Sequence, residues 1–344
     1  MERKLASIQK IKEIHPIENA DAIERAVVLG WNLVVKKGEF KPGDFCVYCE
    51  VDSLLPVREE FEFLRKSCFN SRLNGFRIKT VKLRGQISQG IAFPVKMFQD
   101  IYVKPFSEGM DVTEQLEIRK YEAEIPVSLG GEVKGSFPSF IPKTDEVRIQ
   151  SVPDVLTRHD DHPCVVTEKM DGTSSTFYFY NGEFGFCGRN WEFKPTTENT
   201  YSEVAKKYDI EAKLRAHGKN VAIQGEIVGP QIQKNKYALS EHKLYVYHAF
   251  NIDDYEYFYH IGLENLCNEL GLETVPVLER NFYINERIPT IDAAVEFSIG
   301  QSVVNKNIQR EGVVVKTAIQ GTDHEIGRLS FKIINPKFLL KYDE

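Results

Sequence analysis

The chain has 344 residues, 42% of them hydrophobic, and a formal net charge of -6. Such a length buries a sizeable core and fits two domains, while the acidic balance leaves any contact with nucleic acid to local basic patches. No apolar run approaches the ~20 residues of a membrane span and no signal peptide opens the chain; with six scattered cysteines read as free thiols, the expectation is an intracellular protein, cytoplasmic or nuclear, with no membrane partner.

Leu5 to Ile14 alternates apolar and polar residues as a half-buried strand does, Ala26–Leu29 and Leu33–Val35 are further strands, and Lys41-Pro42-Gly43-Asp44 is a turn into Phe45–Tyr48. Short strands broken by turn residues predict a small β-barrel. Cys46 and Cys49 spell a lone C-x-x-C within it. Odd spacing on a strand points the two thiols to opposite faces, and no second pair completes a zinc site. The most basic stretch runs from Arg72 through Arg84, where Lys82 and Arg84 share a strand face and, with Lys79, can meet phosphate oxygens; the plainer alternative is a solvated strand face. Gly130, Gly131, Gly135, Pro126, Pro138 and Pro142 crowd together as in an irregular join. The expected division is therefore a domain over 1–120, a linker over 121–142 and a domain over 143–344.

From Val165 onward strands alternate with a few helices, the pattern of an α+β domain. Thr176–Tyr180 and Glu183–Cys187 flank Asn181-Gly182, a strong hairpin signal. Tyr201–His217 has helical spacing, and Leu263, Leu266 and Leu270 before Gly271 mark a helix with a glycine stop. The run Thr167-Glu168-Lys169-Met170-Asp171-Gly172-Thr173-Ser174 follows the apolar Cys164-Val165-Val166. A lysine two residues before an acid and a tight glycine, at a strand-to-loop junction, is the arrangement expected of a nucleophilic amine. An exposed strand-end lysine beside an Asp-Gly turn is the bland alternative, and four letters do not decide between them.

Five stretches downstream do. Gly188-Arg189-Asn190 follows the hairpin; Gly225-Glu226-Ile227 ends a strand on a carboxylate; Leu244–Ile252 is an aromatic strand; Glu311–Lys316 puts an acid and a lysine five residues apart, on opposite faces of an ideal strand; Phe331-Lys332 closes the set. With Lys169-Met170-Asp171-Gly172 in front, they look like the six ordered motifs of the covalent nucleotidyltransferases, the superfamily of polynucleotide ligases and mRNA capping enzymes. Only twelve residues follow Lys332, which leaves no room for the C-terminal barrel of DNA ligases and capping enzymes, and the candidate barrel lies in front. With Leu83–Gly90 and Lys143–Gln150 added, the chain resembles the ATP-dependent RNA ligases of the Deinococcus and Naegleria nick-sealing type.

That resemblance implies an α+β fold, an N-terminal OB-like β-barrel followed by a nucleotidyltransferase domain of antiparallel sheets with flanking helices. It implies an RNA-repair enzyme acting as a monomer on nicked RNA or RNA/DNA duplex, with ATP and Mg²⁺ or Mn²⁺ as cofactors. Lys169 would attack the α-phosphorus of ATP, and Lys316, Lys332 and the metal are the cations able to depress its pKa. Asp171, Glu226 and Glu311 are hard oxygen donors for the ion. The family pattern gives Glu226 and Arg189 to the ribose hydroxyls and Phe250 to stacking on adenine, with Tyr247 as the rival. Glu168 would offer its backbone to the adenine edge, and Met170 and Gly172 complete the nucleotide set. Arg148 and Arg84 would hold the β and γ phosphates, a plain interdomain salt bridge being the alternative for Arg148. Ser330 and Ile334 flank Lys332 where many RNA ligases have a second lysine, with Arg328 or Lys337 as substitutes. A DNA ligase or guanylyltransferase and a non-catalytic RNA-binding module are the competing functions.

Overall fold

The alternation that begins at Leu5 becomes an 11-residue strand, Ala6–Pro16, on which the first unit of this computed structural model is built. Residues 3–102, 105–122, 127–159, 162–319 and 321–342 are described, and Pro126 of the expected join lies outside them. Two compact units emerge, one from Met1–Ala123, Val147–Val155 and Pro336–Glu344, the other from Glu124–Glu146 and Leu156–Asn335. The first thus takes in two stretches that the sequence reading assigns to the second domain.

In the first unit, Ala6–Lys10 pairs with Phe45–Cys49 and Ile11–Pro16 with Ile23–Val28, with an irregularity between Ile11 and Glu13. A bulge bends a strand and increases its twist, so one strand serves two halves of a curled antiparallel sheet. Its order is Ile91–Pro94, Phe45–Cys49, Ala6–Pro16, Ile23–Val28, Trp31–Lys36. Cys46 and Cys49 are buried in separate apolar clusters, the first with Trp31 and Leu33, the second with Ile8 and Phe61, as their odd spacing requires. All six cysteines are free thiols. The basic stretch becomes a hairpin, Thr80–Leu83 against Gln86–Gln89. Arg84 and Gly85 form its turn with φ of +49° and +86°, the left-handed pair that matches strand twist. Arg84 is therefore a turn residue, and strand alternation with Lys82 stops at Leu83.

The second unit holds a large sheet, ordered Val133–Ser136, Trp191–Phe193, Glu183–Cys187, Thr173–Tyr180, Val221–Val228, Lys243–Asn251, Glu256–Tyr257. Asn181 and Gly182 make the expected turn, both with positive φ. Helices Thr200–Lys207, Ile210–His217 and His260–Leu270 bury Val204, Leu214, Leu263 and Leu266 in one core with Phe177, Ile223 and Val246 from one face of this sheet. The single helix expected over Tyr201–His217 is two, because Asp209 adopts φ +52° and breaks the ladder. A second antiparallel sheet runs Ser330–Ile334, Gly312–Thr317, Cys164–Lys169, Val277–Phe282. Among the described residues no helix is long and apolar enough to cross a membrane.

Candidate active site

Lys169 is the last residue of its strand, so its backbone is fixed by the sheet while its side chain meets the loop that follows. Its Nζ donates to both carboxylate oxygens of Glu311, at 2.6 and 2.7 Å, with the lysine side chain 26% exposed and the glutamate 12%. Glu311 stands one residue before the strand Gly312–Thr317. The alternation that would set it opposite Lys316 therefore does not govern it, and its carboxylate reaches Lys169.

Asp171 and Glu226 complete the group. The Asp171 carboxylate accepts from Lys236 Nζ at 2.6 Å, with both side chains under 10% exposed, and its backbone N–H donates to Tyr237 Oη at 2.8 Å. Gly172 N–H donates to Glu226 Oε1 at 3.1 Å. Glycine is required there: a Cβ would lie 2.3 Å from the Ile227 carbonyl oxygen and 3.0 Å from Glu226 Cγ. Burial pushes the Glu226 carboxyl up to about 8, with Lys169 opposing and the nearby Glu311 and Asp171 adding to it. For Lys169, burial works against the charged amine, yet Glu311, Glu226 and Asp171 outweigh it and hold its pKa above the ordinary lysine value. The depressed pKa expected from the sequence is thus reversed by the residues themselves, because acids and not lysines are its nearest neighbours.

Register explains where the lysines went. Lys169 is level with Gly312 and Ile334, Thr167 with Val314 and Lys332, and Val165 with Lys316 and Ser330. Residues level across an antiparallel sheet point to one side, so Lys169, Lys332 and Lys316 occupy successive rows of one face. At roughly 3.3 Å per residue, the Lys316 row lies about 13 Å from that of Lys169. Lys332 is in the adjacent row. Lys316 Nζ instead donates to the Tyr247 carbonyl at 2.8 Å, so the structure does not bring it to Lys169.

Other expected residues are scattered. Glu168 turns to the opposite face, 1% exposed, where its Oε2 accepts from Val303 N–H at 2.7 Å, and its own N–H donates to the Pro276 carbonyl at 2.9 Å. Met170 packs with Val228, Tyr237 and Tyr245. Arg189 is half exposed and bonded to Asp145 at 2.8 and 2.9 Å. Phe250 is 1% exposed, edge-on to Tyr255 and Tyr257, in a cluster with Tyr178 and Ala222. It is level with Ala222, four residues from Glu226 on the same strand. Tyr247 is the aromatic beside the acids: its Oη lies 2.9 Å from Ser174 Oγ, and Ser174 is level with Glu226. Arg148 belongs to the first unit, where it pairs with Asp52 at 3.0 Å and keeps Nε and Nη1 buried without a hydrogen bond. The salt bridge expected between domains is one within a unit. Lys79, Lys82 and Arg84 are in that unit too. Arg328 bonds to Glu146 at 2.8 Å. Lys337 lies in the helix Pro336–Tyr342 of the first unit.

Sequence reasoning missed Lys236 and Tyr237. They sit in an irregular loop where Gln231, Gln233, Lys234, Asn235 and Ala238 all have positive φ, and Asn305 Nδ2 holds it through the Tyr237 carbonyl at 3.2 Å. No residue type announces such a loop, since left-handed backbone favours glycine and asparagine. Lys236→Met should remove the 2.6 Å ion pair from buried Asp171 and lower stability by about 3 kcal/mol, measured by urea unfolding against Lys234→Met; equal midpoints would show that the buried pair contributes nothing. Among the described residues, no group of three or more His, Cys, Asp or Glu side chains is arranged to hold a metal ion by itself.

Comparison with known proteins adds the following. A family model for RNA ligase matches residues 162–334, and one for an OB-fold domain matches residues 5–95. Among solved structures, the chain is similar to Naegleria gruberi RNA ligase in a variant with AMP and Mn, at 36% identity and a TM-score of 0.90, over 98% of each chain. A variant with ATP and Mn matches at 36% identity and a TM-score of 0.91, over 99% of this chain and 100% of that one. The enzyme with PPi matches at 36% and 0.89, over 99% of each. Among curated proteins none matches.

Proposed function

Because this chain belongs to the RNA ligase family, we propose that it seals 3'-hydroxyl/5'-phosphate nicks in RNA or RNA/DNA duplex, using ATP, through a lysyl-AMP intermediate on Lys169. The observation that carries this reading is the Lys169 amine at a strand end, held by Glu311 at 2.6 and 2.7 Å with Glu226 and Asp171 around it. In the first step the Lys169 nitrogen, having lost a proton, forms a bond to the α-phosphorus as the bond to the β-phosphate oxygen breaks and pyrophosphate departs. A 5'-phosphate oxygen of the nicked strand then takes the adenylyl group, returning the amine. Finally the 3'-hydroxyl attacks that 5'-phosphorus, closing the phosphodiester and releasing AMP.

Asp171, Glu226 and Glu311 are hard oxygen donors with no thiol or imidazole among them, and burial, with Glu311 and Asp171 adding to it, pushes the carboxyl of Glu226 up; this donor set fits a divalent cation bound partly through its waters. Mg²⁺ or Mn²⁺ held there would supply positive charge against both the α-phosphate and the acids that hold the Lys169 proton. Glu311 orients the amine. Glu226 fixes the Gly172 backbone and, with Arg189, is assigned to the ribose. Tyr247 is assigned to the stacking ring in place of Phe250, because its Oη lies 2.9 Å from the Oγ of Ser174, which is level with Glu226. Lys332, one row from Lys169, is assigned to the phosphate. Arg148, with two buried donors free of hydrogen bonds, is assigned to the outer phosphates.

Incubation with labelled ATP and a divalent metal, followed by denaturing electrophoresis, tests the reading: an AMP adduct is expected, a GMP adduct points to capping, and no adduct leaves the binding module. The exposed hairpin makes a separate prediction. Lys82→Glu with Arg84→Glu should slow nick sealing about tenfold and flatten its salt dependence by about two phosphate contacts, with adduct formation unchanged. Unaltered sealing would remove the hairpin from the nucleic-acid surface.

A further inference from the structure

The second unit contains a cavity of about 220 Å³ that does not include Lys169 or its acids. Its walls are His248, Lys316 and Arg328, the strand Glu256–Tyr257, and the first turn of the helix His260–Leu270. We propose that this cavity is a binding site for a single tetrahedral oxyanion of the phosphate class, separate from the Lys169 cluster.

The donors converge in one place. No side chain caps the helix after Tyr259, and Tyr259, His260 and Leu263 at its start line the cavity, so a ligand there is near the helix N-terminus. His260, in that turn, is 5% exposed, and neither ring nitrogen makes a hydrogen bond. The nearest acid oxygen, Glu264 Oε1, is 3.4 Å from Nε2 and off hydrogen-bond geometry, and Glu264 is already paired with Arg280. A buried imidazole whose Nδ1 has no partner and whose Nε2 has only this long contact to Glu264 is costly unless a better partner arrives. Lys316 is 8% exposed and spends one donor on the Tyr247 carbonyl. Arg328 pairs with Glu146, which also meets His248 at 3.1 Å. Lys316 and Arg328 on the wall therefore face the carboxylates of Glu146, which pairs with Arg328, and Glu256, while Glu264 is satisfied by Arg280. Burial first and the Arg328 charge after it bring Lys316 down to about 8, against Glu146, and burial first and Lys316 after it bring His260 down to about 4, against Glu264.

Size selects the ligand. At about 220 Å³ the cavity is smaller than the roughly 300 Å³ at which pockets for drug-sized ligands begin, so a single phosphate is the ligand proposed. The Lys316 row is also about 13 Å from that of Lys169, too far for the phosphate that reacts there. The occupant is therefore free inorganic phosphate or the monoester end of a small molecule.

Titration of full-length protein with inorganic phosphate, and in parallel with glycerol 2-phosphate, at constant ionic strength and followed by the NMR signals of the His260 ring, tests this. Saturable movement is expected with inorganic phosphate, and movement with both ligands identifies a monoester site. Calorimetric titration reads the variants that lack the ring: His260→Ala should weaken phosphate binding about tenfold or more, and His260→Gln, which preserves more of the packing, should also weaken it. Lys169→Ala should bind phosphate as wild type does. His260 signals unmoved by phosphate at ~10 mM, unchanged affinity in a folded His260→Gln protein, or loss of binding in Lys169→Ala would each overturn the proposal.

Discussion

Lys169→Ala is expected to give no covalent AMP adduct under conditions in which the wild type is fully labelled. The other amines nearby are differently employed: Lys236 is locked to Asp171 at 2.6 Å, and Lys316 is bonded to the Tyr247 carbonyl at 2.8 Å two rows away. Lys169 combines a strand-fixed backbone with an amine bonded to Glu311. Because the amine must shed its proton to attack, and burial is outweighed by Glu311, Glu226 and Asp171 in setting its pKa high, wild-type labelling should quicken as pH rises, by up to tenfold per unit below that pKa. Gel densitometry across pH 6 to 9 reads this, at roughly one unit per step. Full labelling of the alanine variant would place the adduct on another nucleophile; a flat pH profile would mean that proton loss does not limit the first step.

Gly172→Ala should be the second most damaging change, although it adds a single methyl. The new Cβ would stand 2.3 Å from the Ile227 carbonyl oxygen and 2.7 Å from Val228 Cγ1. Thr173 is level with Ile227, so the contact wedges apart two paired strands where Gly172 N–H reaches Glu226. Overpacking costs about 1–3 kcal/mol, and a displacement near 1 Å at a reacting centre costs about 100-fold in rate. Thermal unfolding and single-turnover adduct formation measure the two effects. A variant with wild-type rate and stability would show that this gap opens freely.

Much of this was legible in the sequence. Alternation located the Ala6–Pro16 strand, Asn181-Gly182 located the hairpin, Gly271 stopped its helix with φ +58°, and six ordered motifs pointed to the RNA ligase family. What failed did so for identifiable reasons. Tyr247 and Phe250 could not be told apart because the strand Lys243–Asn251 has an irregularity: Glu226 is level with Tyr245, yet Gln224 is level with His248, so three steps on one strand answer two on the other. An extra residue inverts facing beyond it, and no residue type marks it. Lys316 was misplaced because motif order says nothing of rows across a sheet. The acids around Lys169 were not legible either: without a metal ion, Glu311, Glu226 and Asp171 hold its pKa high, and they meet it from three separate stretches of chain.

The first unit is assembled from three separated stretches of chain. A protease cutting once between Ala123 and Val147 would nick the molecule without liberating that unit whole, since two of its pieces stay attached to the remainder. Recombination of such enzymes by swapping front halves would leave both partners with mismatched fragments. Exchange of modules between relatives is therefore expected to succeed only when all three pieces travel together.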